Sequence, residues 1–324
     1  MCDHAHVSRL PTMPSPLPVL LDCDPGHDDA VAILLAAGRP DAIELRAVTT
    51  VAGNGSLERV TDNARRVLTL AGAPAIPLAA GADAPLGGGA LVTAPDIHGE
   101  SGLDGAELPE PAVDLDPRPA AALIAAVAEA AAPLTLIATG PLTNVAVALE
   151  ASPGLAGSLR EIVWMGGATE RGNVTPAAEF NAWVDPEAVD RVLASGVAFT
   201  MVGLNLTHQA LATPAVVERL ARVGGAVGDA VAGWFDFFTR SYAAVHGFAA
   251  PPVHDPCAVA LVAEPDVIAC TDAYVAVELD GRWTRGATVV DFRSARPANA
   301  RVALELDVER FWDLVVDGVS SVGR

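Results

Sequence analysis

The sequence predicts an α/β fold: a single domain with an open, mainly parallel sheet flanked by helices. Three observations lead there. Short β-branched runs alternate with alanine-rich helical patterns, the rhythm of a parallel sheet whose crossovers are helices. With 51% hydrophobic residues among 324, the chain can bury a large core. No repeat and no linker interrupts it, so residues 17–324 read as one domain behind a loose tail at 1–16.

The elements follow in order. An apolar run at 18–21 reads as the first strand, and 29–37 as a helix stopped by Gly38 and Pro40. A second pair comprises strand 43–51 and helix 57–71, stopped by Gly72 and Pro74. Helix 120–131, strand 134–138, helix 144–149 and strand 161–165 continue the alternation, and helix 186–194 and strand 198–202 repeat it. Residues 214–248 look helical throughout. Late strands are expected at 274–279, 287–291 and 301–306, antiparallel, before a last helix at 308–319. The whole is a Rossmann-like sheet with extra helices. In such sheets ligands bind beyond the carboxyl ends of the strands. Asp22 and Asp24, Asn54, Thr139, Gly166–Gly167 and Asn205 all follow predicted strands, so five loops should converge on one rim.

Composition narrows the chemistry. The net charge is -20, which argues against nucleic acid as a partner. All 20 cationic residues are arginines, and the missing lysine excludes Schiff-base and P-loop mechanisms. Cys2, Cys23, Cys257 and Cys270 are scattered and read as free thiols of a reducing compartment. Residues 1–16 lack a basic start followed by an apolar core, so no signal peptide is expected and Met13 is a candidate start. Apolar stretches such as 120–132 are too short and interrupted to span a bilayer. A soluble, cytoplasmic protein without membrane contact is expected.

Three segments carry chemistry. In "VLLDCDPGHDDA", residues 19–30, four carboxylates occupy eight positions after an apolar run. Asp28 and Asp29 open a helix, where free N–H groups and the helix dipole favour anions. A cap needs one aspartate, however, and Asp22 and Asp24 add repulsion. Such a cluster is stable around a hard cation or with shared protons, and an all-oxygen set suits Ca²⁺ or Mg²⁺ better than Zn²⁺. In "PPVHDPCAVA", residues 251–260, His254 and Asp255 precede Pro256 and an apolar helix; taken alone, Asp255 could be a simple cap. In "NVTPAAEFNAWVDP", residues 173–186, Asn173, Glu179, Phe180 and Asn181 share a loop that, alone, could be turn chemistry. A strand ending in Asp-x-Asp also suggests an aspartyl-phosphate phosphatase of the haloacid dehalogenase type. That class needs a lysine, which is missing, and Gly26 stands where threonine or valine is usual.

Together these segments resemble the nucleoside hydrolase family, of the inosine–uridine-preferring type. "DCDPGHDDA" is similar to its amino-terminal fingerprint, and "TTVAGN" at 49–54, "IHGESG" at 97–102, "TGPLTN" at 139–144, "WMGG" at 164–167, "AEFNAWVDP" at 178–186 and "HDPCA" at 254–258 match further blocks in order. The resemblance spans about 17–320 and implies the following assignments. Asp24, Asp29 and Asp255 would bind Ca²⁺ through side chains and Thr139 through its carbonyl. Asp28, Asn181 and Asn54 would hold the ribose 2′- and 3′-hydroxyls, Asn173 and Glu179 the 5′-hydroxyl, and Met165 would pack beneath the sugar. Asp24 would act as general base and His254 as general acid toward the leaving base. His98 would sit in a mobile lid. Phe180, Phe238, Tyr242 and His246 would line the base pocket, although Phe238 and Tyr242 at i, i+4 suit a helix core equally well. His27 reads as a surface residue or one lying behind the site. The substrate would be a free nucleoside, and the assembly a homodimer or homotetramer. A nucleoside- or ribose-binding module without catalysis stays open beside the phosphatase.

Overall fold

The computed structural model describes residues 15–293 and 295–323. Cys2 and all but two residues of the tail assigned to 1–16 therefore lie outside the described residues. Nine strands form one sheet: β1 (Leu17–Cys23), β2 (Ile43–Thr50), β3 (Leu78–Ala80), β4 (Leu134–Ala138), β5 (Leu159–Met165), β6 (Phe199–Val202), β7 (Ile268–Val277), β8 (Thr288–Asp291) and β9 (Ala300–Leu306). Their order is β3-β2-β1-β4-β5-β6-β9-β7-β8. The first six pair in parallel, and β9 extends the parallel set beside β6. Only β7 runs antiparallel, against β9 on one side and β8 on the other. The three late strands pair antiparallel among themselves, as expected, and β9 in addition lies parallel to β6 and so extends the parallel body. β7 also starts earlier than its alternating 274–279 stretch suggested, because Ile268–Ala273 pairs with β9 along a mostly polar face.

The helices are α1 (His27–Gly38), α2 (Leu57–Leu70), α3 (Pro95–His98), α4 (Ala120–Ala130), α5 (Thr143–Ala151), α6 (Leu155–Ser158), α7 (Phe180–Val184), α8 (Pro186–Ala194), α9 (Leu204–Thr207), α10 (Pro214–Ala221), α11 (Gly225–His246), α12 (Asp255–Ala263) and α13 (Val308–Ser321). The helical stretch 214–248 is two helices, broken where Gly224 and Gly225 both take positive φ. β3 and the one-turn helices escaped the sequence because three to five residues carry too little periodicity to register.

Two apolar layers cover the two faces of the sheet. Val19, Leu21 and Cys23 point into one, with α1, α11, α12 and α13, and Leu20 into the other, with α4, α5 and α8. This is the period-two alternation of a strand buried on both sides. α1 is buried almost all round, which explains why its apolar pattern lacks a polar face. The order β3-β2-β1-β4-β5-β6 reverses direction between β1 and β4. Crossovers leave that point toward opposite faces, so a crevice opens at the carboxyl ends of these two strands.

Candidate active site

The crevice is where the acidic residues gather. Leaving β1, the chain places Asp24 at the switch point, and Pro25–Gly26 turns it into α1. Asp29 then reaches back as a cap, accepting from Gly26 N at 3.1 Å and Asp24 N at 3.3 Å. From β4, Thr139 bonds across to β1 through its N–H to the Asp22 carbonyl at 2.8 Å, and its hydroxyl donates to Asp29 at 2.8 Å. α12 enters from the far end of the chain: the His254 N–H donates to Asp28 at 3.2 Å, across 226 residues of sequence. Two helix N-termini thus point at the same carboxylates, and their dipoles favour the negative charge.

Asp28, Asp29 and Asp255 are buried, and one carboxylate oxygen of each lies within 4.8 Å of the others. Asp28 therefore stands in the tightest trio where the sequence reading had Asp24. Asp24 lies alongside, fully buried, its Oδ2 accepting the Asn54 N–H at 2.7 Å. Its Oδ1 has no hydrogen-bond partner. That oxygen sits in a cradle of small residues: a Cβ on Gly140 would fall 2.7 Å from Oδ1, and one on Gly53 2.1 Å from Oδ2. Burial pushes the Asp24 and Asp255 carboxyls well above the usual carboxylate range, with the neighbouring aspartates adding to it. The same burial raises Asp29, and raises Asp28 to about 7. Such a group must hold protons or a cation. An orphaned buried oxygen beside three clustered carboxylates, all hard donors, fits a divalent cation.

Asp22, the fourth carboxylate of the fingerprint, does not join them. It faces the other side of the sheet, where its Oδ1 accepts from Thr49 at 2.6 Å and Asn144 at 2.8 Å, and burial raises it to about 7. Asn205 is also not on the rim; its amide donates to the Ala303 carbonyl at 2.8 Å and ties the β6 loop to β9. Thr207, two residues on, is the residue from that loop that meets the site, through His254 Nδ1 at 2.8 Å.

Over the cluster opens a cavity of about 270 Å³. Asp28, Asn54, Thr139, Met165, Asn173, Glu179, Phe180, Asn181, His98, His254 and Asp255 all line it, so the structure brings these expected residues together, with Asp24 just beneath. Asn181 donates to the Thr139 carbonyl at 2.8 Å and the Met165 carbonyl at 3.0 Å, which leaves its own carbonyl free. Glu179 caps α7, accepting from Asn181 N, Ala182 N and Gly167 N within 2.8–3.0 Å, and burial raises it to about 7. Asn173 accepts from Phe180 N at 2.9 Å. Phe238 and Tyr242 on α11 are both buried and cavity-lining, so neither alternative for that pair excludes the other. Among the described residues, no arginine lines the cavity.

His254 is held from both sides. Besides Thr207 at Nδ1, its Nε2 lies 2.8 Å from the Tyr242 hydroxyl, and burial lowers it to about 3. His27 takes the second of its two readings, a residue behind the site and not one on the surface. It is buried, stacked on Phe237, Phe238 and His98, and burial lowers it to about 4. The ring of His98 is likewise buried. Thr207, Asn144 and Asp104 carry no distinctive signal in the sequence, because hydroxyls, amides and lone acids are common and only the fold shows what they touch.

The chain is similar to known proteins along nearly its whole length. The sequence profile described as inosine-uridine preferring nucleoside hydrolase matches residues 19–313. An inosine-uridine preferring nucleoside hydrolase of Leishmania major is 47% identical over 313 residues, covering 95% of this chain and 99% of that protein. A pyrimidine-specific ribonucleoside hydrolase of Salmonella paratyphi A is 43% identical over 305 residues, covering 93% and 97%. Among solved structures, a purine-preferring ribonucleoside hydrolase from Gardnerella vaginalis superposes with TM-score 0.88 at 30% identity, covering 94% of this chain and 98% of that one. The chain belongs to the inosine-uridine preferring nucleoside hydrolase family, and is an N-glycosidase.

Proposed function

We propose that residues 17–324 act as one Ca²⁺-dependent domain that hydrolyses ribonucleosides of the inosine–uridine type to free base and ribose. The observation that carries this reading is the unpartnered Asp24 Oδ1 beside the buried Asp28, Asp29 and Asp255 carboxylates, at the floor of the cavity. Asp24, Asp29, Asp255 and the Thr139 carbonyl would hold the ion. When bound, it supplies a positive charge that draws in the ribose diol and makes a neighbouring water more acidic.

The remaining steps belong to the chain's own residues. Asp28, Asn54 and the free carbonyl of Asn181 hold the 2′- and 3′-hydroxyls. Asn173 and Glu179 meet the 5′-hydroxyl, Met165 lies under the sugar, and Phe180, Phe238, His98 and His246 surround the base. Asp24 Oδ1 takes a proton from the attacking water as its oxygen bonds to C1′. The C1′–N bond breaks with its electron pair going to the base. The buried carboxylates stabilise the oxocarbenium-like charge that builds on the ribose. His254 acts through Tyr242: its Nδ1 lies 2.8 Å from the Thr207 hydroxyl and its Nε2 2.8 Å from the phenol oxygen, and the tautomer with hydrogen on Nε2 leaves the phenol hydrogen for the departing base. Free nucleosides, not nucleic acid, are the substrates, and a cytoplasmic homodimer or homotetramer is the working assembly.

The test is a panel of ribosides, 2′-deoxyribosides and 5′-monophosphates, with released reducing sugar measured in calcium and in chelator. Ribose should appear from inosine and uridine. Deoxyribosides, lacking half the diol, and 5′-monophosphates, whose phosphate would face the Glu179 carboxylate, should react at least about a hundredfold more slowly. No ribose from any riboside would overturn the assignment.

A further inference from the structure

The connection between β7 and β8, residues 278–287, leaves the edge of the sheet and returns against the wall of the cavity that carries Glu179. Its base is closed by two bonds: Gly286 N donates to the Glu278 carbonyl at 2.7 Å, and Glu278 N to the Ala287 carbonyl at 2.9 Å. Three residues then reach the wall. Arg285 Nη2 donates to both carboxylate oxygens of Glu187 on α8, at 2.7 and 2.8 Å. Gly286, at φ 81°, presses on α7, where a Cβ would lie 2.7 Å from the Trp183 Cα. Thr288 opens β8 and lays its hydroxyl on Ala168, accepting from the Ala168 N–H at 2.8 Å and donating to the Ala168 carbonyl at 2.7 Å.

The Arg285–Glu187 pair is partly exposed and contributes little by itself. The Thr288 contact is different in kind. Ala168 is buried and lies beyond the end of β5, so no strand ladder receives its two polar groups. A hydroxyl can donate once and also accept, and Thr288 uses both capacities on this one residue. Its methyl group packs beside Gly167, where an added Cβ would fall 2.8 Å from Thr288 Cγ2. Gly167, at φ 71°, in turn donates its N–H to Glu179 Oε2 at 2.8 Å. Contacts thus run without a break from the sheet edge through Ala168 and Gly167 to a carboxylate that lines the cavity.

We propose that Thr288 is a positioning residue for the sugar: by fixing the loop of Gly167 and Ala168 it holds the Glu179 carboxylate where the 5′-hydroxyl arrives, and so sets how strongly that hydroxyl is required. This rests on the nucleoside hydrolysis and the role of Glu179 proposed above, and adds the residue that tunes the 5′ end of the substrate. A brace without this role would support the whole wall, and its loss would be felt equally by nucleosides with and without the hydroxyl.

Uridine and 5′-deoxyuridine differ in that group alone, so the ratio of their kcat/KM values reads the Glu179 contact and cancels any common effect on the chemistry at C1′. The unaltered protein should favour uridine at least about tenfold, the scale of one hydrogen bond. Thr288→Val keeps the branched shape that a strand favours but leaves both Ala168 groups unpaired, and the preference should fall about five- to tenfold. Thr288→Ser keeps the hydroxyl and should restore it. Gly286→Ala pushes the same connection off Trp183 by a separate route and should weaken the preference in the same direction. It decides the matter if melting temperatures show that Thr288→Val does not fold. No preference for uridine in the unaltered protein, an undiminished preference in the folded variants, or a loss that Thr288→Ser does not restore would overturn the proposal. If no riboside releases ribose, the reaction falls, and calorimetric affinities for the same two nucleosides still supply the ratio that decides the role of Thr288.

Discussion

Asp24 concentrates the physical tension of the site in one side chain. It is fully buried, one oxygen is satisfied by Asn54, and the other faces its acidic neighbours without a donor. No fold retains such an oxygen for stability, because an unpaired buried acceptor costs about 1–3 kcal/mol. Asp24→Ala should lower kcat by about 10²- to 10⁴-fold, the range for losing a positioned base, while the melting temperature holds or rises. Gly53→Ala approaches the same group without altering its chemistry. The new Cβ would lie 2.1 Å from Asp24 Oδ2, so the carboxylate must move. Turnover should fall at least about tenfold with far-ultraviolet circular dichroism unchanged; full activity would mean that Asp24's position is not critical. The carboxylates themselves were legible, since four acids in eight positions need a counter-charge. Which of them lie nearest one another was not, because that depends on how α12 approaches α1.

At the scale of elements, α5 does more than cover the sheet. Its Asn144 amide donates to Asp22 on β1 at 2.8 Å and to the Thr50 carbonyl on β2 at 2.9 Å, and its carbonyl accepts from Ala82 N at 2.8 Å. One side chain thus joins a helix, two strands and the loop after β3 beneath the site. Asn144→Ala leaves several buried partners unsatisfied and should destabilise by about 1–3 kcal/mol, lowering the melting temperature by several degrees. A shift within one degree in thermal unfolding would show that water replaces the amide. The strand–helix rhythm that predicted α5 spoke for its apolar face only. Asn144 lies at its start, where an amide reads equally well as a turn residue.

For the molecule as a whole, the acidic cluster joins segments far apart in the chain, since α1 and α12 meet there. Without a cation, the buried carboxyls hold more protons when folded than unfolded, because burial raises them, Asp28 to about 7. Protons bound in excess by the folded state mean that stability falls as pH rises from the unfolded value near 4 through the folded value near 7. A bound cation replaces those protons and removes the loss. The difference in melting temperature between calcium-loaded and chelated protein should therefore widen from pH 5 to pH 8, and a constant or narrowing gap would show that the cluster is not the ion's seat. Comparing the two forms at each pH cancels the opposite trend of His27 and His254, whose lowered values cost stability on acidification.

The sequence by itself determined the class of fold, most element positions, and the chemistry of the site as a set of acids, amides and a histidine after successive strands. It could do so because apolar periodicity and clustered like charge are local properties with few physical explanations. Only the tertiary structure decided that β9 joins the parallel body, that Asp22 and Asn205 brace the fold, that Asp28 joins the tightest carboxylate trio, and that His27 grips His98. Those outcomes depend on contacts between residues distant in the chain, 71 positions for His27 with His98 and 226 for Asp28 with His254. Their geometry is fixed by how helices pack on a twisted sheet, and spacing along the chain does not encode it.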